Sequence, residues 1–195
     1  VEYALSSLLN DLVNMIQKRA TDKKLQFIVD ADPDLPTILF GDEIRIKQIV
    51  TNVLTNAVKY TEKGSVTFRI GYEADGSDSV FLDFTVIDTG IGIKPEDMAK
   101  LFSEFERIEE KRNRSIEGTG LGMNITKRLL EMMGTSLKVE SVYGKGSAFS
   151  FRLRQGVIKW DALGDYEAAH RASLLSMKKY KERFTAPDAR VLVVD

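Results

Sequence analysis

Val80, Leu82, Phe84 and Val86 alternate with Phe81, Asp83 and Thr85, and the run then breaks on Asp88-Thr89-Gly90-Ile91-Gly92-Ile93. Such alternation marks a strand with one buried face, and the register of that face leaves the chain little freedom in how it folds. At the strand's end stands a carboxylate, followed by two glycines spaced by one residue. Glycine permits a turn with positive φ and lets another group approach where a Cβ would stand. A second glycine-rich stretch, Gly118-Thr119-Gly120-Leu121-Gly122, precedes a segment with helical character. The free N–H groups and positive dipole of a helix N-terminus suit phosphate. The chain thus pairs an acid able to read a base edge with a separate phosphate cradle, and a charged segment lies between them.

The alternation occurs twice more. Val66, Phe68, Ile70 and Tyr72 alternate with Thr67, Arg69 and Gly71 within Ser65–Tyr72, and a polar turn at Asp75-Gly76 leads on to the strand ending at Asp88. Phe149, Phe151 and Leu153 alternate with Ser150, Arg152 and Arg154 after a turn at Gly144-Lys145-Gly146. These strands predict a mainly antiparallel sheet with one face on a core and one facing water. Leu25–Val29 is expected to add a short strand, and residues 32–36, with two prolines, read as a loop. Helices are expected over residues 42–61, with Asp42 as N-cap, and 121–134. Ile46, Ile49, Val50, Val53 and Ala57 form the apolar face of the first, while Arg45, Gln48, Asn52, Asn56 and Lys59 form a polar stripe. Strands and helices do not alternate as βαβ units, so the class is α+β: a two-layer α/β sandwich with helices covering one face of the sheet.

Composition narrows the chemistry. The chain has 195 residues, a net charge of −1, one histidine and no cysteine. Disulfides, thiolate metal sites and histidine-rich metal sites are excluded. The balanced charge gives no electrostatic footprint for nucleic acid. No apolar run approaches the ~18 residues of a membrane span, and no signal peptide is visible. A cytoplasmic location is expected, in a longer protein that a membrane could anchor elsewhere. The glycine spacing is not the G-x-G-x-x-G of a dinucleotide fold, and no P-loop sequence occurs.

Four stretches in order carry a resemblance. Asn52-Val53-Leu54-Thr55-Asn56-Ala57-Val58-Lys59-Tyr60-Thr61 resembles the asparagine box of sensor histidine kinases, and Asp88-Thr89-Gly90-Ile91-Gly92 resembles their first glycine box. Phe102-Ser103-Glu104-Phe105 resembles their phenylalanine box, and Gly118-Thr119-Gly120-Leu121-Gly122 their second glycine box. The resemblance runs from about residue 25 to 154. It implies the Bergerat-type sandwich shared by gyrase, the heat-shock chaperone, MutL and the histidine kinases, with ATP and Mg²⁺ as ligands. The implied nucleotide site comprises Asn52, Asn56, Lys59, Tyr60, Asp88, Gly90, Gly92, Ile93 and Phe105. To these it adds Gly118, Thr119, Gly120, Leu121, Gly122 and Ser147, with Asn56 as metal ligand. Asp88 would accept a hydrogen bond from the adenine amine, where guanine presents another acceptor. The amide oxygen of Asn56 is the hard donor that Mg²⁺ prefers. Lys59 could meet phosphate as a point charge. Tyr60 could pack on base or ribose, or into the core. Residues 106–117, rich in both charges, would act as a lid over ATP, or form a solvated loop.

Hydrolytic members of that superfamily place a glutamate four residues before the metal-binding asparagine; here the position is Asn52, and an amide cannot serve as general base near neutral pH. The resemblance therefore implies a kinase domain that passes the γ-phosphate to a histidine on a separate helix pair. A degenerate ATP-sensing module and a superfamily ATPase are the alternatives. His170, in Ala168-Ala169-His170-Arg171, has no following acid and lacks the phosphoacceptor context. Residues 1–22, with Leu5, Leu8, Leu9, Leu12 and Ile16 on one face, are expected to be the second helix of the dimerisation bundle, although a helix packed on its own domain fits the same periodicity. The catalytic domain is expected over 23–155, a helical linker over 156–189, and the first strand of a receiver domain over 190–195. The implied partners are the histidine-bearing bundle and the receiver domain, within a homodimeric full-length protein.

Overall fold

The computed structural model describes residues 1–102 and 122–177. Its strands are β1 (Glu2–Ala4), β2 (Gln26–Ala31), β3 (Pro36–Phe40), β4 (Ser65–Ala74), β5 (Ser79–Asp88), β6 (Lys138–Val142) and β7 (Gly146–Ala162). Its helices are α1 (Leu5–Asp22), α2 (Glu43–Tyr60), α3 (Gly122–Met132) and α4 (Tyr166–Met177), with two short 3₁₀ turns at Pro95–Asp97 and Ala99–Phe102. The strands form one sheet in the order β1-β3-β7-β5-β4-β2, and β6 pairs with the start of β7. Only β2 and β4 run parallel among these pairs, so the sheet is mixed and mainly antiparallel, as expected.

The alternation read from the sequence lands in register. Val66 and Phe68 of β4, Leu82, Phe84 and Val86 of β5, and Phe151 and Leu153 of β7 all turn into the core. Phe84 stacks between Phe68 and Phe151, with ring centroids 6.5 and 5.0 Å away. Each buried ring contributes about 1.5–3 kcal/mol of burial energy. The opposite face carries ion pairs in place of a core. Arg152 meets both Asp83 and Glu73, and Arg69 meets Asp30. These exposed pairs are worth ~1 kcal/mol or less each, but they keep the outer face wet and the register one-sided.

α2 begins as predicted: the Asp42 carboxylate accepts the backbone N–H of Arg45 at 3.1 Å. Its β-branched apolar face, Ile46, Ile49, Val50 and Val53, is buried. Packing rather than helix propensity holds it.

The structure differs from the sequence expectations at both ends of the sheet. α1 is a wall of this core: Leu5, Leu8, Leu9, Leu12 and Ile16 are fully buried, and the helix packs on α2, β2 and β3. Asp11 pairs with Lys47, and Arg19 donates to the Thr55 hydroxyl, both across to α2. The boundary placed at residue 23 therefore cuts through one hydrophobic core, because the α1 stripe meets the sandwich itself. β7 likewise continues past residue 155, and its second half pairs with β3, so residues 156–162 are strand and not helical linker. Beyond them, α4 is helical and is tied back to α1: the Tyr166 hydroxyl donates to Asn10 Oδ1 at 2.9 Å. The strand expected over 190–195 lies outside the described residues. β1, β3 and β6 are short strands that the sequence reading omitted. β3 starts on Pro36, inside the segment read as loop, at the strand-initial position that proline tolerates.

Candidate nucleotide-binding site

Asp88 closes β5 and is only 6% exposed. Its Oδ1 accepts the Gly90 N–H at 2.8 Å, and the backbone N–H of Ser147 on β7 also donates to the carboxylate. Burial pushes its pKa above the usual carboxylate range, and the two N–H donors pull it part of the way back. The turn-capping role that an acid before Gly90 suggests is therefore filled, by one oxygen.

The loop after Asp88 is clamped on two sides. On one side Ile91 N–H donates to Tyr60 O at 3.2 Å, at the C-terminal end of α2. A Cβ on Gly90 would lie 2.4 Å from that same oxygen and 2.8 Å from Asp88 Oδ1, so only glycine fits. On the other side the β6–β7 hairpin closes in. Gly92 has φ +66°, and a Cβ there would lie 2.2 Å from Val142 O. Gly144 N–H donates to Ile91 O at 2.7 Å, and Ile93 N–H donates to Ser141 Oγ at 2.8 Å. The Ser141 hydroxyl donates on to Gly146 O, and its oxygen lies 2.9 Å from Ser147 Oγ. The fold thus gathers Tyr60, Asp88, Gly90, Gly92, Ile93 and Ser147 at one end of the sheet.

The polar stripe of α2 leads into the same place. Asn52, Asn56, Lys59 and Tyr60 are all half-buried. Asn52 Nδ2 lies within hydrogen-bond reach of Gly122 O at 3.4 Å and of the buried Thr126 hydroxyl at 3.3 Å. Asn52 is thus a strut between α2 and the first turn of α3. Asn56 sits one helical turn further on. The Lys59 ammonium lies 5.0 Å from the centre of the Tyr60 ring. Gly122 is the first residue of α3, and a Cβ there would rest 3.8 Å from Asn52, which is ordinary contact. Phe105, Gly118, Thr119, Gly120 and Leu121, together with the lid expected over 106–117, lie outside the described residues.

Three contributors escaped the sequence reading. Ser141 locks the hairpin onto Ile93. Thr89 Oγ1 accepts the Ser65 N–H at 3.0 Å, bracing the loop against β4. Lys23 reaches the end of α2 from α1. Hydroxyl and ammonium contacts across such sequence distances leave no periodic trace. Among the described residues no cluster of three or more histidine or acidic side chains could hold a metal, and no helix is long and apolar enough to cross a membrane.

A sandwich whose sheet ends in a buried acid beside a glycine loop, with an asparagine-bearing helix alongside, defines a nucleotide-binding domain. A family model, the histidine kinase-, DNA gyrase B-, and HSP90-like ATPase, matches residues 41–157, and the chain belongs to that family. It is homologous to hybrid sensor histidine kinases. It is 39% identical over 156 residues to the hybrid signal transduction histidine kinase B of Dictyostelium discoideum, covering 80% of this chain and 8% of that one. It is 33% identical over 153 residues to the signal transduction histidine-protein kinase BarA of Escherichia coli, covering 78% of this chain and 17% of that one. The chain therefore spans a small part of these relatives. Among solved structures, full-length ShkA in complex with AMPPNP matches with a TM-score of 0.68 and 30% identity, over 82% of this chain and 32% of that one. The mycobacterial sensor histidine kinase MprB has the same fold, with a TM-score of 0.61 and 24% identity, over 80% of this chain and 97% of that one.

Proposed function

We propose that this chain is the catalytic part of a sensor histidine kinase, which holds MgATP and passes its γ-phosphoryl group to a histidine on a helical bundle. Asp88 accepts the adenine amine with the carboxylate oxygen that does not cap Gly90. Tyr60 borders the base or ribose, and Lys59 faces the phosphates as a point charge. Asn56 offers Mg²⁺ one hard oxygen. The donors present fit an ion held mainly by phosphates and waters, since Mg²⁺ keeps several waters and needs few protein ligands. When bound, the ion offsets phosphate charge. The chain's own contribution is positioning and electrostatics on the transferring group. In this reading Gly118, Gly120 and Gly122 let the chain wrap the phosphates, with the backbone N–H groups of Leu121 and Gly122 as donors.

The observation that carries the kinase reading over hydrolysis is Asn52. The position that a water-activating carboxylate would occupy holds an amide, and that amide is spent on Gly122 O and Thr126 Oγ1. His170 is no phosphoacceptor in this reading. Its Nε2 lies 3.0 Å from Asn14 Oδ1 on α1, and its ring stacks on Tyr166. The receiver domain and the homodimer belong to the same proposal.

Incubation with γ-labelled ATP tests it. The chain alone should acquire no acid-labile label and release little phosphate, and His170→Ala should change nothing. Adding a helical bundle from a homologous kinase should place label on the bundle's histidine. Stoichiometric label on the isolated chain, lost on His170→Ala, would overturn the reading. Rapid steady-state phosphate release would move it to the ATPase alternative.

A further inference from the structure

The last carbonyls of a helix have no intrahelical partner, and they form the negative end of its dipole. At the end of α2 three such oxygens converge on one ammonium. Lys23 Nζ lies 2.8 Å from Val58 O, 2.9 Å from Lys59 O and 2.8 Å from Thr61 O. An ammonium has three hydrogens, and here each has its own acceptor. The Lys59 ammonium, which belongs to the same helix turn, lies over the Tyr60 ring. The cap comes instead from the end of α1.

The backbone is bent to deliver it. Lys24 N–H donates to Thr21 O and Leu25 N–H to Ala20 O, both at 2.9 Å, which closes α1. Lys24 sits at φ +58°, the one non-glycine residue with positive φ among those described. A side chain in that conformation is disfavoured and persists where the surroundings hold it. The turn reverses the chain so that Lys23 faces α2 and Leu25 leads into β2. Gln26 N–H then donates to Gly64 O at 3.0 Å, pinning the turn that follows α2 from the same side.

The capped segment is the one that holds the glycine loop. Tyr60, between two of the capped carbonyls, accepts the Ile91 N–H, and its oxygen packs against Gly90, whose N–H holds Asp88. We propose that Lys23 is a positioning residue for the nucleotide site: its ammonium fixes the end of α2, and through Tyr60 O the Gly90-Ile91 loop and the Asp88 carboxylate. Lys23 itself touches no nucleotide. Partial desolvation of the ammonium where it lies against the protein lowers its pKa, and the Glu62 charge raises it again. The proposal rests on the nucleotide reading above.

The absence of cysteine permits a clean test. Lys23→Cys introduces a single thiol at an exposed position. Alkylation with 2-bromoethylamine rebuilds a side chain of lysine's length and charge, whereas iodoacetamide gives a neutral one. If freeing the helix end leaves about a tenth of molecules with the loop in place, ATP affinity falls about tenfold. Calorimetry well below the melting temperature should show that loss for Lys23→Cys, recovery to within about twofold after aminoethylation, and no recovery with iodoacetamide. A helix cap with only a structural role would lower the melting temperature and leave affinity unchanged. Parent-like affinity in the unmodified variant, or equal rescue by both reagents, overturns the proposal. Should the cysteine variant not fold, Lys23→Met keeps the apolar stem. The Gly90 and Ile91 amide resonances should then shift along with affinity, and their constancy overturns the proposal. No ATP binding by the parent chain would instead overturn the nucleotide reading itself.

Discussion

Replacing Gly90 by alanine tests whether the loop after Asp88 is set by close approach. The added Cβ would meet Tyr60 O at 2.4 Å, Asp88 Oδ1 at 2.8 Å and Thr61 Oγ1 at 2.9 Å. None of the three can swing aside freely. Tyr60 O is backbone and accepts Ile91 N–H; the carboxylate is bound to Gly90 N–H; the Thr61 hydroxyl is buried and donates to Ala57 O at 2.7 Å. Carbon and oxygen rest comfortably near 3.5 Å, so the loop must retreat by about 1 Å. That movement breaks or stretches the 3.2 Å bond from Ile91 and the 2.8 Å bond to Asp88. Overpacking costs about 1–3 kcal/mol, and loss of a hydrogen bond to a charged group about 1.5–3 kcal/mol. Since the loop can relax partly, we expect a stability loss of about 2–4 kcal/mol by urea unfolding and an ATP affinity too weak for calorimetry. Gly71→Ala is the control. Gly71 has nothing within 4 Å of its would-be Cβ and no positive φ, so alanine there should leave ATP binding intact and stabilise by up to about 1 kcal/mol. Parent-like stability and affinity in Gly90→Ala would refute the close-approach argument.

Asp88→Asn should weaken ATP binding by about 1.5–3 kcal/mol and narrow the preference for ATP over GTP, because the new amide turns a donor toward the adenine amine; equal affinity of the parent for both nucleotides would defeat this. The pH dependence has a definite sign. The Asp88 pKa is raised by burial, so ATP affinity should fall with acidification earlier than an ordinary carboxylate would allow, and Asp88→Asn should flatten that profile. Stability without nucleotide runs the other way. The charged carboxylate is penalised in the fold, fully so above its raised pKa, and the penalty is relieved as pH falls toward the unfolded value. Asp88→Asn should therefore stabilise the nucleotide-free chain most at neutral pH, as denaturant titrations across pH would show. Asn52→Ala should cost about 1 kcal/mol by leaving the buried Thr126 hydroxyl and Gly122 O without this donor; hydrogen exchange should report faster opening of the first turn of α3, and unchanged exchange there would count against the strut.

Elements with a strong local period were legible from the residues alone. β4, β5 and the first half of β7 declare themselves by alternation, and α2 by its apolar stripe and Asp42 cap. The turn after Asp88 is announced by glycines whose spacing has a steric cause: Gly90 lies against Tyr60 O and Gly92 against Val142 O. What α1 packs against was not legible, because a stripe of leucines states that a face is buried and not which surface buries it. The three residues of β1 and the proline-led β3 are too short to show a period; β3 is a strand because the extended half of β7 offers it a partner, and β1 because β3 then offers one in turn. Asn52 looked like one member of a polar stripe until α3, 70 positions away in sequence, came within reach of it. Lys23 had no local signal either: its three acceptors are the exhausted carbonyls of a helix that only the sandwich brings alongside. Periodicity and glycine spacing act within a few residues and are written in the chain. Caps and struts satisfy whatever polar group the packing happens to leave open, and so they exist only once the packing does.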